Sequence, residues 1–199
     1  MAKKARVWTG TEFVELASAQ TDLTAYSTTA QMNTAVTAGV GLVPILTQTI
    51  GTAVSSVVVS NAFSTTYDNY KILITGGVAS TDNGINLKMG ATTTGYYAGR
   101  LRVLYSAGTL SQETDNNAAS WTNIGYGNTN SLHANFELLN PFKTQQTNMT
   151  NIAAENATNA RATMTSGWLN NSTSYTDFTL TPSGGTLTGG TIRVYGYKN

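Results

Sequence analysis

Alternation of hydrophobic and polar positions predicts short β-strands over most of this chain. From residue 42 onward the pattern has a period of two, as in Phe136-Glu137-Leu138 and Ile192-Arg193-Val194, which is typical of strands with one buried face. Turn-forming Asp, Asn, Gly and Pro residues separate these segments. The predicted strands are 42–49, 54–61, 70–76, 85–89, 97–105, 121–126, 133–139, 147–153, 162–169, 175–181 and 191–197. Strands separated by turns predict a mainly-β fold, an antiparallel β-sandwich or jelly roll, rather than alternating strands and helices.

The last predicted strand, 191–197, ends close to the end of the chain. Unpaired chain ends tend to fray. We therefore expect this closing strand to be hydrogen-bonded inside a sheet.

A small hairpin is predicted near the start of the chain, with its turn at 9–11. An isolated two-stranded hairpin is only marginally stable, so its aromatic side chains are expected to need a partner surface. That surface is either the next segment of the same chain or a larger assembly. The hairpin residues predicted to make this contact are Arg6, Val7, Trp8, Phe13 and Val14.

A short helix is predicted after the hairpin. Thr28 followed by Gln31 matches a capping box, and Met32, Val36 and Val40 recur at helical spacing. A helix of about ten residues is not stable alone in water. Its narrow apolar stripe is expected to pack against copies of itself in a trimeric stem; the alternative is a helix that lies on the sandwich.

Composition excludes several function classes. Charged residues make up 11% of the chain and the net charge is +1, so the basic surface that nucleic-acid binding requires is not expected. The chain has no cysteine, which excludes disulfides and thiolate metal sites. The longest apolar stretch, 35–50, is interrupted by glycines and a proline, so no membrane insertion is expected.

Chemistry-bearing residues are sparse. His133 is the single histidine, and it shares a predicted strand face with Glu137. Asp68, Asp82 and Asp115 lie in turn-forming sequences, where they are expected to cap turns. We therefore predict a non-enzymatic protein without metal or cofactor, although carboxylates from distant positions can pair as in glycosidases.

Aromatic residues near predicted loop ends are the better functional candidates. Aromatic rings beside Asn and Thr side chains combine stacking with hydrogen bonding, which suits sugar binding. The alternative is that they fill the core or a subunit interface. The candidate glycan-contact residues are Tyr96, Tyr97, Trp121, Tyr126 and Trp168.

Five segments form an ordered series along the chain: 6–14 (RVWTGTEFV), 22–36 (DLTAYSTTAQMNTAV), 63–74 (FSTTYDNYKILI), 136–142 (FELLNPF) and 187–196 (LTGGTIRVYG). In this order they resemble motifs of fibre and minor tail proteins of tailed bacteriophages. In the first segment, Phe13 stands where that motif usually has a second Trp, and Thr9 stands where it usually has Asp.

This resemblance implies a homotrimeric virion protein exposed on the particle surface. Residues 1–20 would attach it to other virion proteins, 21–50 would form a helical stem and linker, and 51–199 would be a β-sandwich head that contacts host glycans. The alternatives are a capsid decoration protein that stabilises the shell and, less favoured, a surface polysaccharide hydrolase.

Overall fold

The chain folds as a series of antiparallel β-strands. The computed structural model describes residues 6–15, 41–155 and 160–198, and these residues contain no helix, hence none that is long and apolar enough to cross a membrane. The strands are β1 (Arg6–Trp8), β2 (Phe13–Glu15), β3 (Leu42–Thr49), β4 (Val57–Val59), β5 (Asn69–Thr75), β6 (Val78–Ala79), β7 (Asn83–Met89), β8 (Tyr96–Leu104), β9 (Leu110–Ala118), β10 (Trp121–Gly127), β11 (Leu132–Leu139), β12 (Asn148–Glu155), β13 (Arg161–Leu169), β14 (Phe178–Pro182), β15 (Leu187–Thr188) and β16 (Thr191–Tyr197).

The predicted hairpin is confirmed. Strand β1 pairs antiparallel with β2, with Trp8 opposite Phe13, and the Thr9 N–H donates to the Glu12 carbonyl across the turn at 2.9 Å. The hairpin belongs to one compact unit, Met1–Val40, and the sandwich to another, Gly41–Asn199. The predicted helix and its stripe, Met32, Val36 and Val40, lie outside the described residues.

The closing strand is paired on both of its edges, as predicted. Strand β16 lies between β3 and β5, and β5 continues to β11. Residues Leu42–Thr49 of β3 pair with β16 along its whole length. The sandwich unit therefore includes 41–50, which the sequence assigned to the stem and linker.

Strand β11 is shared by the two halves of the sandwich. One edge pairs with β5 from Ala134 to Leu139. The other edge pairs with β10 at its beginning and with β12 at its end. From β10 the strands continue to β7, β14 and β4; from β12 they continue to β13, β8 and β9.

The core lies where these two halves face each other. Phe136 of β11 contacts Phe178 of β14 edge to face, with ring centroids 6.3 Å apart, although β7 and β10 separate the two strands within the sheet. Alternate residues of β5, β11 and β16 are buried in this core, as the sequence pattern predicted. An antiparallel mainly-β sandwich is thus confirmed. Its fully buried large side chains are Trp121, Tyr70, Tyr96, Phe136, Phe178, Ile50, Ile72, Ile74, Ile85, Leu87, Met89 and Ile124.

The sequence prediction missed strand β9 and assigned its end to a turn. Leu110–Ala118 is almost entirely polar, so it lacks the apolar alternation by which a strand is recognised. Asp115 does not cap a turn there, which corrects its predicted role. Its buried carboxylate pairs with Arg100 of β8 and accepts hydrogen bonds from the Thr122 N–H and hydroxyl, each at 2.9 Å.

Further ion pairs fill the inner side of this end of the sheet. Arg102 pairs with Glu113, and its guanidinium lies 3.5 Å from Glu155. Glu155 also pairs with Arg161 and accepts a hydrogen bond from the Thr163 hydroxyl at 2.9 Å. Burial lowers the pKa of Arg102, while Glu155 and Glu113 oppose that shift. Charged groups removed from water must be paired, so this network holds the Arg side chains of β8 inward.

Three of the five resembling segments, 63–74, 136–142 and 187–196, contact one another at one corner of the sandwich. Phe63 packs edge to face on Tyr70, with centroids 4.8 Å apart. The Asn140 N–H donates to the Asp68 carbonyl at 2.9 Å, which joins segment 63–74 to segment 136–142. The ring of Tyr67 lies directly over Gly196 of β16.

The close contact between the Tyr67 ring and Gly196 predicts the effect of Gly196→Ala. An added Cβ would lie 2.3 Å from Cγ of Tyr67, so the ring or the strand must shift. Overpacking of this kind costs about 1–3 kcal/mol, and we expect urea denaturation to show a free energy of unfolding lowered by that amount. The control is Gly184→Ala, where a Cβ meets nothing within 4 Å. Equal stability of the two variants would contradict a tight ring contact.

Candidate functional site

The side of β12, β13 and β8 that points away from the core carries exposed aromatic and apolar residues. The strand register aligns them in rows: Trp168 lies opposite Tyr97, while Ile152, Met164 and Leu101 follow one another across the three strands. We call this surface the outer face. Rows of this kind bring side chains of separate strands within contact distance.

Tyr97 and Trp168 form a stacked pair at one end of the outer face. Their ring centroids are 4.8 Å apart and their planes differ by 13°. Trp168 remains 36% exposed. An exposed indole that is held rigidly by a second ring offers a stacking surface for a flat apolar group, such as the C–H face of a sugar ring.

A groove runs along the outer face from this pair. It consists of two adjoining depressions of about 500 Å³ each, which share Gly99 and Ser166. A Cβ on Gly99 would meet nothing within 4 Å, so the missing side chain deepens the groove. Near the aromatic pair it is also lined by Thr114 and Asn116. Its size is that of a small-molecule site, and these hydroxyl and amide groups can donate and accept hydrogen bonds without charge.

A polar cluster closes the other end of the groove. Glu137 accepts hydrogen bonds from Lys71 at 3.1 Å and from the Tyr197 hydroxyl at 2.6 Å. The Tyr197 bond, together with Lys71, lowers the pKa of Glu137 against the opposing effect of its burial. Burial and the bond to Glu137 raise the pKa of Tyr197 to about 12. The positive charge of Lys71 and the negative charge of Glu137 offset each other here, so this end of the groove carries no strong net charge.

Three of the five candidate glycan-contact residues are buried, so the alternative of a core position holds for them. Tyr96 and Trp121 lie in the core with their rings 5.0 Å apart, and Tyr126 is also buried. The Tyr96 hydroxyl accepts from the Met89 N–H at 2.7 Å, and burial raises its pKa. The reason is strand alternation: Tyr96 and Tyr97 are neighbours in sequence and therefore point to opposite faces of the sheet.

The structure separates the remaining predicted residues into two groups. Tyr97 and Trp168 come together on the outer face, while Trp8 lies on the hairpin and is exposed.

His133 shares the outer side of β11 with Glu137, as expected, and its ring forms a hydrogen bond with the Ala154 carbonyl. Among the described residues, no group of three His, Cys, Asp or Glu side chains is placed to hold a metal ion.

Sequence reasoning missed the apolar row of Leu101, Met164 and Ile152. The alternation in Arg100-Leu101-Arg102-Val103 was visible, but a period of two does not say which side faces the core. The usual assumption places charged residues outside. The buried carboxylates that reverse this choice are Asp115 on β9, a strand that the sequence pattern does not reveal, and Glu155 on β12, which is remote in sequence.

The Glu137–Tyr197 bond predicts how stability depends on pH. The folded-state pKa of Glu137 is lowered, so its contribution is present above the unfolded value near 4.5 and is lost as pH falls through the folded value. The folded-state pKa of Tyr197 is raised, so its contribution is present below about pH 10 and is lost as pH rises toward about 12. We expect Tyr197→Phe to weaken both dependences in urea denaturation across pH 3–12.

The control for this measurement is Tyr105→Phe, at an exposed tyrosine outside the cluster. It is expected to keep the wild-type profile because it leaves the Glu137–Tyr197 bond intact. Identical profiles for wild type and Tyr197→Phe would show that the bond does not contribute to folding.

Comparison with known proteins finds no match. No family model matches the chain, and neither a curated protein nor a solved structure is significantly similar to it. Function has to be inferred from the residues of this chain.

Proposed function

We propose that this chain is a non-enzymatic virion protein of a tailed phage, a homotrimeric short fibre displayed on the particle. Its sandwich head adheres to host-surface glycans through the aromatic end of the outer face, where Tyr97 and Trp168 stack. The observation that carries the adhesive role is the stacked pair of Tyr97 and Trp168 at the head of a groove lined by Thr114, Asn116 and Ser166.

The chemistry of the groove favours a neutral oligosaccharide. Sugar rings present a C–H face that stacks on aromatic rings and hydroxyls that bond to Thr, Ser and Asn side chains. An acidic glycan would require a free cation near the aromatic pair. Lys71, the cation that lines the groove, lies at its other end and is paired with Glu137.

The virion proposal is supported by the order of the five resembling segments and by the contacts among three of them, 63–74, 136–142 and 187–196. Tyr67 and Gly196, from two different segments, interlock, and Asp68 and Asn140 join two segments by a backbone hydrogen bond. Residue types that serve such contacts are constrained by packing. These three segments therefore serve the fold of the head domain and not a ligand site. Proteins that share one architecture but bind different ligands are expected to share residues of this kind.

The hairpin suits an attachment element that docks elsewhere. It has three residues in each arm, and two short strands do not form a stable structure alone. Trp8 is 55% exposed, and large exposed aromatics are typical anchors of protein interfaces.

Glycan binding is tested with the variant Trp168→Ala. Purified protein is titrated with neutral oligosaccharides that a glycan array selects for the wild type. We expect at least tenfold weaker binding, because an aromatic contact is worth about 0.5–1.5 kcal/mol beyond the surface that it buries. Unfolding temperature is measured in parallel, since Trp168 also stacks on Tyr97.

Trp8→Ala is the matched control, because it removes an exposed tryptophan outside the sandwich unit. It is expected to bind glycan as the wild type does. Equal binding by Trp168→Ala, or no glycan binding by the wild type, would contradict the adhesive role.

The virion role is tested by deleting residues 1–20. We expect the truncated protein to remain folded, because the sandwich forms its own compact unit, but to be missing from purified particles. Gel analysis of particles assembled with either protein measures incorporation. Normal incorporation of the truncated protein would refute attachment through the hairpin.

Particles that lack the whole protein separate adhesion from shell stabilisation. The proposal expects slower adsorption to host cells and unchanged resistance to heat. Fragile particles that adsorb at the wild-type rate would instead favour the decoration role.

A further inference from the structure

At one end of the large sheet, the usual arrangement of apolar residues inside and charged residues outside is reversed. On β8 the inward positions are Arg100 and Arg102, both buried, whereas the outward positions are Leu101 and Val103. In a sheet with one face in water the charged side is normally outside. Since β8 has its charged residues buried and its apolar residues exposed, its outer face has the composition of a covered surface.

The exposed apolar residues form one continuous patch. Ile152, Met164 and Leu101 are direct cross-strand neighbours, and Val103, two residues beyond Leu101, is paired with Leu110 of β9. These five side chains are 40% to 65% exposed. We call them the apolar patch.

The area of the patch approaches what a stable interface needs. Five large apolar side chains at this exposure present on the order of 500 Å² of accessible surface. For comparison, the largest apolar patch on a typical monomer covers about 300–600 Å². A stable interface buries about 800 Å² on each partner. The patch with its immediate rim therefore accounts for most of one side of an interface.

We propose that the apolar patch is the contact surface between copies of this chain. The inference rests on the proposed homotrimer and names the face that forms it in the head. The side chains of the patch are uncharged, and an uncharged apolar surface is complementary to itself. In a trimer, a threefold axis that passes beside the patch would bring Leu101, Met164 and Ile152 of the three copies together around it.

The aromatic pair and the patch occupy different parts of the outer face. Along β13, Trp168 is four residues from Met164, and Ser166 lies between them on the same side. Strand residues rise about 3.3 Å each, so the two lie roughly 13 Å apart. Leu101, Ile152 and Met164 line the depression at the Glu137 end of the groove, so a subunit contact centred on Met164 would cover that depression. The aromatic pair and the depression beside it would remain at the rim of the contact, where a glycan can reach them.

The absence of cysteine from the chain allows a direct test by cross-linking. In the full-length protein, Ile152→Cys places a thiol in the patch, and Val58→Cys places one at a similarly exposed position, 51%, on β4. Each is treated with a short bismaleimide at low protein concentration. We expect covalent dimers from Ile152→Cys and none from Val58→Cys. No dimers from Ile152→Cys, or equal yields from both, would overturn the proposal.

Association is measured independently by sedimentation with Met164→Glu. A carboxylate in the patch must lose its water if copies pack there, so we expect association at least tenfold weaker than in the wild type. Val58→Glu is the control and should leave association unchanged. A trimeric wild type with unchanged association in Met164→Glu would refute this face while leaving the trimer in place. A monomeric wild type would refute both, and the patch would then belong to a different partner.

Glycan titration of Met164→Glu separates this inference from the adhesive role. Weaker association with unchanged affinity per site for the oligosaccharide supports both assignments. Lost glycan affinity with unchanged association would make the patch part of the glycan site and overturn the subunit contact.

Discussion

The pairing of β11 with three other strands is the constraint on which the rest of the sandwich depends. At its beginning β11 lies between β10 and β5, with Ala134 opposite both Gly125 and Ile74; farther along, β12 replaces β10. A Cβ on Gly125 would lie 2.5 Å from that of Ala134, so this junction closes only with glycine there. Because two branches of sheet leave the same edge of one strand, they are brought face to face. The core that includes Phe136 and Phe178 forms between them.

Burial of charge decides the second feature of the fold, which is the orientation of β8 and its neighbours. Arg100 and Arg102 face inward because Asp115, Glu113 and Glu155 meet them there. Leaving one of these ions unpaired in the interior would cost several kcal/mol, so the network tolerates neither a slip of one residue nor a flipped strand. The same network turns the apolar residues of β8 outward. A buried electrostatic requirement on one side of the sheet thus creates the apolar and aromatic surface on the other side.

Predictions from sequence succeeded where apolar alternation marks a strand, and failed where a strand lacks that alternation or where tertiary packing decides which face is buried. The hairpin around residues 9–11 and ten of the long strands were recognisable from alternation and turn chemistry. Strand β9 was not, since LSQETDNNA carries almost no apolar residue and is held by pairing with β8 and by the Asp115 ion pair. The five aromatic candidates divided for a related reason. Tyr96 and Tyr97 have the same local sequence environment, yet only the position of the core decides that one is buried and the other is exposed.

The sequence by itself determined the class of fold, the order of most strands and the pairing of the closing strand, because alternation and turn residues act over a few positions. It also carried the ordered motifs on which the virion proposal rests. Only the tertiary structure decided which face of β8, β12 and β13 points outward, and hence that Tyr97 stacks on Trp168 and that Leu101, Met164 and Ile152 form a row. A period of two is the same whichever face is buried. The choice is made by the carboxylates of β9 and β12 and by the apolar core, which meet the side chains of β8 only when the sheet has formed.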